Sequence, residues 1–574
     1  MFSFNSLKKN LKKDFSSLRP VKLAILADSA SQLLNDAIRG YGYEAQLNYD
    51  VYEADYNQID LQIFDPSTEL YAFQPEYIFI NRCTEKLLKD FNKKKKDQQE
   101  HFAAAILANT RQYFDTLSRH LPKARVLINT FAEIDDSVFG NFAGKVPSSF
   151  VYQLRRLNIG LMDLAREYQN VFLVDLALLQ SQLGYRFVFD PKMYVNADMV
   201  YSLDFLPCIA QHVTDIILSI SGTFKKCLIL DLDNTTWGGI IGDDGIEGIQ
   251  VGYLGMGKVF TELQTWALQL KQRGIIIAVC SKNTEEIARE PFLSHPDMVL
   301  RMDDIAVFVA NWETKVDNIR YIQSILNISF DSMVFVDDNP FEREMVKTGI
   351  PGITVPDLPE DPAEYLGYLR SLNLFETASV TEEDEQRTRQ YKEEAERSIL
   401  QKTFDNEDDF LVSLQMESSP KPIDNFNIPR VAQLSQRSNQ FNLRTVRYTE
   451  EDIRQITGNP DYHTLTLDLK DRFGDHGLIG VIILKKEDKK TLFIDTWIMS
   501  CRVLKRGMEQ FTLNTIAEWA AANNFETVVG EYIPTKKNGI VKDHYASLGF
   551  TEHEGKWLLR LDQFKNKQTH ITKL

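Results

Sequence analysis

Lys226-Cys-Leu-Ile-Leu-Asp-Leu-Asp-Asn-Thr-Thr-Trp-Gly-Gly239 is the stretch whose reading decides the fold. Its apolar run, residues 227–230, predicts a buried strand. Asp231 and Asp233 follow, one residue apart, with Thr235 and a Gly pair behind them. A buried strand does not ordinarily end in two acids. If it continued through them, both would lie on one face and both would need partners. A cation and a phosphoryl group supply such partners. The alternative, solvated acids at a surface strand end, suits most isolated Asp-x-Asp triplets.

The downstream sequence separates the two. Residues 275–279 form an apolar run ending in Cys280 and Ser281, Asn311-Trp-Glu-Thr-Lys315 carries a lysine, and the apolar run 333–336 ends in Asp337-Asp338-Asn339-Pro340. With Asp-Leu-Asp-Asn-Thr these resemble, in order, the four motifs of the haloacid dehalogenase (HAD) superfamily. The wider wording, Trp237-Gly-Gly-Ile-Ile-Gly-Asp-Asp-Gly245 and Asp337-Asp-Asn-Pro-Phe-Glu-Arg343, is similar to its FkbH-like branch, of subfamily IIIC type.

That resemblance implies a Mg²⁺-dependent phosphohydrolase. Phosphate esters repel an oxygen nucleophile unless a cation neutralises them, and Mg²⁺ takes oxygen ligands. Asp231 would be the nucleophile, forming an aspartyl-phosphate. Asp233 would protonate the leaving oxygen and then take a proton from water. Mg²⁺ would sit on Asp231, Asp337 and the backbone carbonyl of Asp233. Ser281, Lys282, Asn283 and Lys315 are expected around the phosphate, with Thr235 beside them or bonded within its own loop. Lys315 would also steady Asp231. Asp338 would orient Lys315 or a metal-bound water, or act as a second ligand.

At 574 residues the chain exceeds one core, and three or four domains are expected. The net charge of -16 excludes a general nucleic-acid binder. Five scattered cysteines suggest neither a disulfide framework nor a zinc site. No run has the length of a membrane span, and the basic, amphipathic residues 1–19 lack the apolar core of a secretory signal. A cytoplasmic protein is expected.

Three α/β regions are expected in order. Residues 21–222 alternate strands (21–26, 77–80, 126–128, 171–174) with helices such as 98–120 and 148–168, which predicts a parallel sheet. Asp28-Ser29 and Asn129 resemble the SGNH hydrolase pattern, but Asp204 and His212 do not have its Asp-x-x-His spacing. A Ser without a positioned base is a poor nucleophile, so this domain is expected to be non-catalytic, with a docking or substrate-presenting role. Residues 224–372 form a doubly wound, Rossmann-like HAD unit with strands at 227–230, 275–279, 298–301 and 333–336. Its insert, 238–252, makes a flap rather than a cap domain, which leaves the site open to a large or protein-borne substrate. Residues 373–408 are a charged helical linker, with Thr381 and Asp384 as a helix start.

Residues 409–561 have a strand and helix order that resembles a GNAT-type acyltransferase. There Arg502, Lys505, Arg506 and Gly507 would meet the diphosphate of coenzyme A at a helix start, and Tyr545 would be the general acid or a packing residue. Of the pattern Gln/Arg-x-x-Gly-x-Gly/Ala only Gly507 is present; Leu504 and Glu509 stand at the other positions. Cys227 and Cys501 are weighed as thioester nucleophiles against the reading of a buried Cys as a small hydrophobe. The FkbH-like resemblance implies a glyceryl-type unit taken from 1,3-bisphosphoglycerate, phosphate release, and loading onto an acyl carrier protein in polyketide, other secondary-metabolite or polysaccharide biosynthesis. The alternative is a GNAT-type N- or O-acyltransferase with an acyl-CoA or carrier-bound (phosphopantetheine) donor, the HAD domain acting on a phosphorylated precursor.

Overall fold

The structure is a computed structural model. It describes residues 2–380, 391, 393, 397, 400–401, 403–438, 440–500, 503–535 and 537–574, and divides into two compact units, 1–218 and 219–574. The helix start expected at Thr381 and Asp384 lies outside the described residues.

The first unit is a five-stranded parallel sheet, β1 (Arg19–Ala27), β2 (Leu47–Glu53), β3 (Tyr77–Asn81), β4 (Arg125–Asn129) and β5 (Val171–Val174), in the order β2-β1-β3-β4-β5. The central strand β3 is buried throughout, as the absence of polar alternation in its sequence requires. Strand β2 was not apparent in the sequence; it is an edge strand with a mostly half-exposed pattern. Near the amino terminus, the amphipathic stretch forms helix α1 (Phe4–Asn10), which buries Phe4 and Leu7 against helix α2 (Gln32–Glu44). The close approach is made possible by Gly40. A Cβ there would meet the Leu7 carbonyl oxygen at 2.3 Å, and Asn10 Nδ2 donates to the Gly40 carbonyl at 3.1 Å.

The second unit holds two sheets. One is parallel, with β6 (Cys227–Leu230), β7 (Ile276–Ser281), β8 (Val307–Ala310) and β9 (Met333–Val336) in the order β8-β7-β6-β9. The strand expected at 298–301 is absent, and β8 takes its place nine residues later. Met298 and Leu300 are buried as expected, but the amides of Val299 and Leu300 are claimed by the side chain of Gln264, at 2.9 and 3.2 Å, so the ladder does not form there. The insert after β6 carries one short helix, α3 (Ile241–Gly248), closed by a bridge between Gly238 and Gln250. Helices α4 (Lys315–Leu326) and α5 (Pro340–Gly349) follow β8 and β9.

The other sheet is mixed and has eight strands: β10 (Met416–Ser418), β11 (Tyr462–Asp471), β12 (Gly474–Lys486), β13 (Thr491–Met499), β14 (Thr527–Gly530), β15 (Thr551–His553), β16 (Lys556–Arg560) and β17 (Ile571–Lys573). Their order is β15-β16-β14-β13-β12-β11-β10-β17. Helix α6 (Met508–Ala522) connects β13 to β14. No helix among the described residues is long and apolar enough to cross a membrane.

The α1–α2 contact gives a direct test. Gly40→Ala should lower stability to urea by about 1–3 kcal/mol, because the added methyl meets backbone that has nowhere to go. Unchanged stability would mean that α1 is not docked on α2.

Candidate active site

Four chain segments meet at the carboxyl edge of the parallel sheet, where ligands of such sheets bind. Strand β6 delivers Asp231, β7 ends in Ser281, β9 delivers Asp337, and Lys315 is the first residue of α4. The start of α4 is fixed twice over. The Thr314 hydroxyl accepts from the Asp317 amide at 3.1 Å, and the side-chain amides of Asn311 and Asn318 exchange two hydrogen bonds. Lys315 is thereby held buried, aimed at the acids.

Its ammonium lies 3.0 Å from Asp231 Oδ1 and is also bonded to Asp337 Oδ2. Burial alone would lower its pKa, but Asp231 and Asp337 more than offset this and drive it above the ordinary lysine value. Burial raises Asp231 to about 6, opposed by Lys315 and reinforced by Asp337. Asp337 is raised as well, first by burial, with Lys315 opposing. Asp338 is raised by burial and by Asp231. One carboxylate oxygen from each of Asp231, Asp337 and Asp338 lies within 4.8 Å of the others. Three ionised acids against one ammonium leave an excess of two negative charges. A hard divalent cation with oxygen ligands fits that donor set in both charge and chemistry.

Asp338, weighed above as a second ligand, lies with Asp231 and Asp337, and the Asp233 carboxylate is bonded elsewhere. Asp233 Oδ1 accepts from the Trp237 indole and the Ile241 amide, both at 3.0 Å, and Oδ2 from Asn283 Nδ2 at 2.9 Å. Only its backbone carbonyl remains as a donor toward a cation. The cause is local: the chain leaves the strand at Leu230 and turns, with Asp233 bridged to Trp237.

Other residues expected around the phosphate have protein partners. The buried Thr235 hydroxyl accepts from the Asp338 amide at 3.0 Å, tying the first loop to the fourth. Lys282 Nζ lies 2.5 Å from Glu342 Oε1, so its charge meets an acid of α5. Asn283 also reaches the Ser281 hydroxyl, at 3.3 Å. Cys227 is sealed at the opposite end of β6, and burial pushes its thiol far up, which removes it as a nucleophile. Cys501 lies outside the described residues.

Three supporting residues escaped the sequence reading. Thr236 Oγ1 donates to the Asp231 carbonyl at 2.6 Å. Arg343 Nη1 donates to the carbonyls of Asp337 and Asp338, at 2.9 and 2.6 Å, which fixes the loop bearing both acids. Trp237 holds Asp233, as above. Trp237 and Arg343 stand in the quoted motifs, but nothing in residue type alone announces those bonds.

In the first unit Ser29 is buried. The Asn129 amide is spent on backbone, accepting from the Arg82 amide at 2.8 Å and donating to the carbonyls of Arg82 and Thr130. That leaves it no donor for an oxyanion.

Residues 22–218 match the family described as FkbH, N-terminal domain. The chain is 52% identical to the N-terminal part of BF1531 from Bacteroides fragilis, a crystal structure containing a phosphatase domain complexed with Mg, with a TM-score of 0.64; the match covers 66% of this chain and 100% of that one. Slighter likenesses are to the spermidine/spermine N-acetyltransferase SpeG of Vibrio cholerae (11% identity) and the ribosomal-protein-S18-alanine N-acetyltransferase of Escherichia coli (13%). Each covers 26% of this chain, and 95% and 98% of the other, at a TM-score of 0.21. None of the curated proteins matches.

The raised acids set a pH dependence. Between about pH 4 and the raised value of Asp231 the native fold holds protons that the unfolded chain has released, so stability falls as pH rises through that window. The slope is at most about 1.4 kcal/mol per pH unit for each acid. Without divalent cations the chain should resist urea better at about pH 5 than at about pH 7. Asp231→Asn should flatten the trend, and so should excess Mg²⁺, which selects ionised acids. Identical pH trends in wild type and Asp231→Asn would contradict the assignment.

Proposed function

Because the chain belongs to the FkbH-like family and carries a HAD-type phosphatase domain, we propose that Asp231 is the nucleophile of a Mg²⁺-dependent phosphohydrolase whose reaction is coupled to acyl transfer onto a carrier protein. The observation that carries the catalytic part is the sharing of one buried ammonium, Lys315, between Asp231 and Asp337, with Asp338 adjoining. When bound, Mg²⁺ would be held by Asp231, Asp337, the Asp233 carbonyl and, directly or through water, Asp338; it supplies charge neutralisation at the phosphoryl oxygens.

The chain's own groups do the rest. An Asp231 oxygen attacks phosphorus as the bond to the leaving oxygen breaks, and Asp233 gives that oxygen its proton. Water then attacks the aspartyl-phosphate, Asp233 takes the water's proton, and the bond between phosphorus and Asp231 breaks to release inorganic phosphate. Trp237, the Ile241 amide and Asn283 position Asp233. The Ile241 amide belongs to the insert, so movement of the flap would change the aim of the acid. Ser281 and Lys315 stabilise charge on the phosphoryl group.

The carrier-protein part rests on openness and apolar exposure. The insert is a single short helix, and large apolar side chains stand exposed on the segments that follow the strands: Tyr253 (77%) and Leu254 (89%) after the flap, Trp312 (75%) before Lys315, and Phe341 (67%) at the start of α5. Exposed apolar groups on several such segments suit a protein partner better than a small metabolite. The substrate class is a phosphorylated acyl donor of the glyceryl type: Asp231 attacks the phosphorus of its phosphate ester, whereas at an acyl-phosphate end the phosphopantetheine thiol gives up its proton and attacks the carbonyl carbon, and the bond from that carbon to the phosphate oxygen breaks, so that the thioester forms as phosphate leaves. The first unit is a docking body without hydrolase activity of its own, in keeping with the committed Asn129 amide.

Asp231→Asn should cut phosphate release by roughly three orders of magnitude or more; retention of activity would overturn the nucleophile assignment. Trp312→Glu combined with Phe341→Glu should leave turnover of a small phosphate ester within about twofold while acylation of the carrier, read by intact-protein mass spectrometry, falls at least about tenfold. An equal loss of both activities would remove these side chains from carrier recognition.

A further inference from the structure

Coenzyme A, implied by the GNAT-type resemblance of the last domain, can be tested against the residues that would hold it. Its diphosphate would meet the start of α6, and its thioester would have to reach Tyr545. The start of α6 does not suit an anion. The Glu509 carboxylate accepts the Lys505 amide at 3.3 Å, which places an acid where the diphosphate would lie. The Gly507 carbonyl accepts from Thr569 Oγ1 at 3.2 Å, so the carboxyl-terminal stretch packs on the same turn. Arg506 is buried in another cluster, its Nη1 lying 3.2 Å from His476 Nε2 and 3.6 Å from Asp471 Oδ2. Asp471 is also held by the guanidinium of Arg397 at 2.5 and 2.9 Å. Arg506 therefore belongs to the sheet interior and not to the loop surface. Lys505 remains exposed, and Arg502 lies outside the described residues.

The path from α6 to Tyr545 is filled by the chain itself. Strands β13 and β14 pair in parallel only over residues 491–493 and 527–529. Beyond that point residues 441–444 lie between them. The Met499 amide donates to the Phe441 carbonyl at 3.2 Å and the Leu443 amide to the Trp497 carbonyl at 3.5 Å, while on the other side the Ile533 amide donates to the Leu443 carbonyl at 2.9 Å. The segment thus acts as a short added strand bonded to both walls, an intramolecular form of β-augmentation. Arg444 pins it by donating to Asp495 Oδ1 (2.8 Å) on β13 and Glu531 Oε2 (2.7 Å) just past β14. Asn538 Nδ2 pins it again, at the Asn442 carbonyl (3.0 Å). Phe441 and Leu443 are buried, and Phe441 stacks edge-on against His544, with ring centroids 4.9 Å apart.

Tyr545 is sealed beneath. It is buried, and a Cβ added at Gly530 would come within 2.7 Å of its hydroxyl oxygen, so the ring lies directly on the end of β14. Burial drives its pKa well above the ordinary tyrosine value. Tyr545 is a packing residue here.

We infer that residues 441–444 occupy the gap between β13 and β14 as a built-in strand, so that the last domain takes no coenzyme A and acyl donors must enter this protein elsewhere. The inference does not depend on the phosphatase reading, and its test leaves the HAD site untouched. Equilibrium dialysis of radiolabelled coenzyme A and acetyl-CoA against the full chain, up to about 1 mM, the upper range of ordinary donor sites, should show no saturable uptake. Hydrogen exchange should find the amides of Leu443, Met499 and Ile533 protected, with no change on adding either compound. Uptake of one equivalent per chain, loss of that protection on adding coenzyme A, or exchange of those amides as fast as in an open loop would each overturn it.

Discussion

One buried ammonium organises the central domain. Lys315 Nζ lies between Asp231 and Asp337, with Asp338 close by. Two carboxylates about 4 Å apart repel by about 4 kcal/mol at an effective dielectric constant near 20, and one lysine does not offset burial and repulsion together: burial first, with neighbouring acids adding to it, raises the pKa of all three. Loops that present acids so densely need external ties. Arg343 on the carbonyls of Asp337 and Asp338, Thr236 on that of Asp231 and Thr235 on the Asp338 amide provide them. The arrangement is costly without a counter-ion, and that same cost makes a divalent cation bind there.

The last domain has the opposite character. Where the HAD site leaves charge unsatisfied and loops exposed, the region around Tyr545 is closed by backbone bonds on both sides of an inserted segment. The two designs suit a division of labour in which the chemistry stays at the acids and the last domain contributes structure or a surface. A tie between the two sheets runs through Lys537, whose ammonium lies 2.6 Å from Asp331, just ahead of β9. Lys537 neighbours Asn538, which pins the inserted segment, and β9 leads to Asp337. The same short loop therefore touches both regions.

Much of the central site was legible in the sequence because its logic is local. Apolar runs that end in acids, or in Cys280 and Ser281, are signals carried by adjacent residues, and they placed β6 and β9 on their residues and β7 within two. What was not legible depends on partners far along the chain. Gln264 removes the strand expected at 298–301 by binding amides some 35 residues away. Arg343 acts on backbone carbonyls, which any sequence would supply. The place of residues 441–444 between two diverging strands is set by contacts with residues some 50 to 100 positions distant. The partners of Lys282 and Thr235, Glu342 and Asp338, likewise lie 60 and 103 positions away.

The central claim is that Asp231, Asp337 and their neighbours share one cation. Mn²⁺, which has similar oxygen preferences to Mg²⁺ and a usable anomalous signal, tests it most directly in crystals of the full chain. The account predicts one strong anomalous peak at the carboxyl edge of the parallel sheet, bonded to oxygens of both Asp231 and Asp337 at about 2.0–2.2 Å, with Lys315 still beside Asp231. A peak elsewhere, or none at full soaking with both carboxylates still paired only to Lys315, would contradict it.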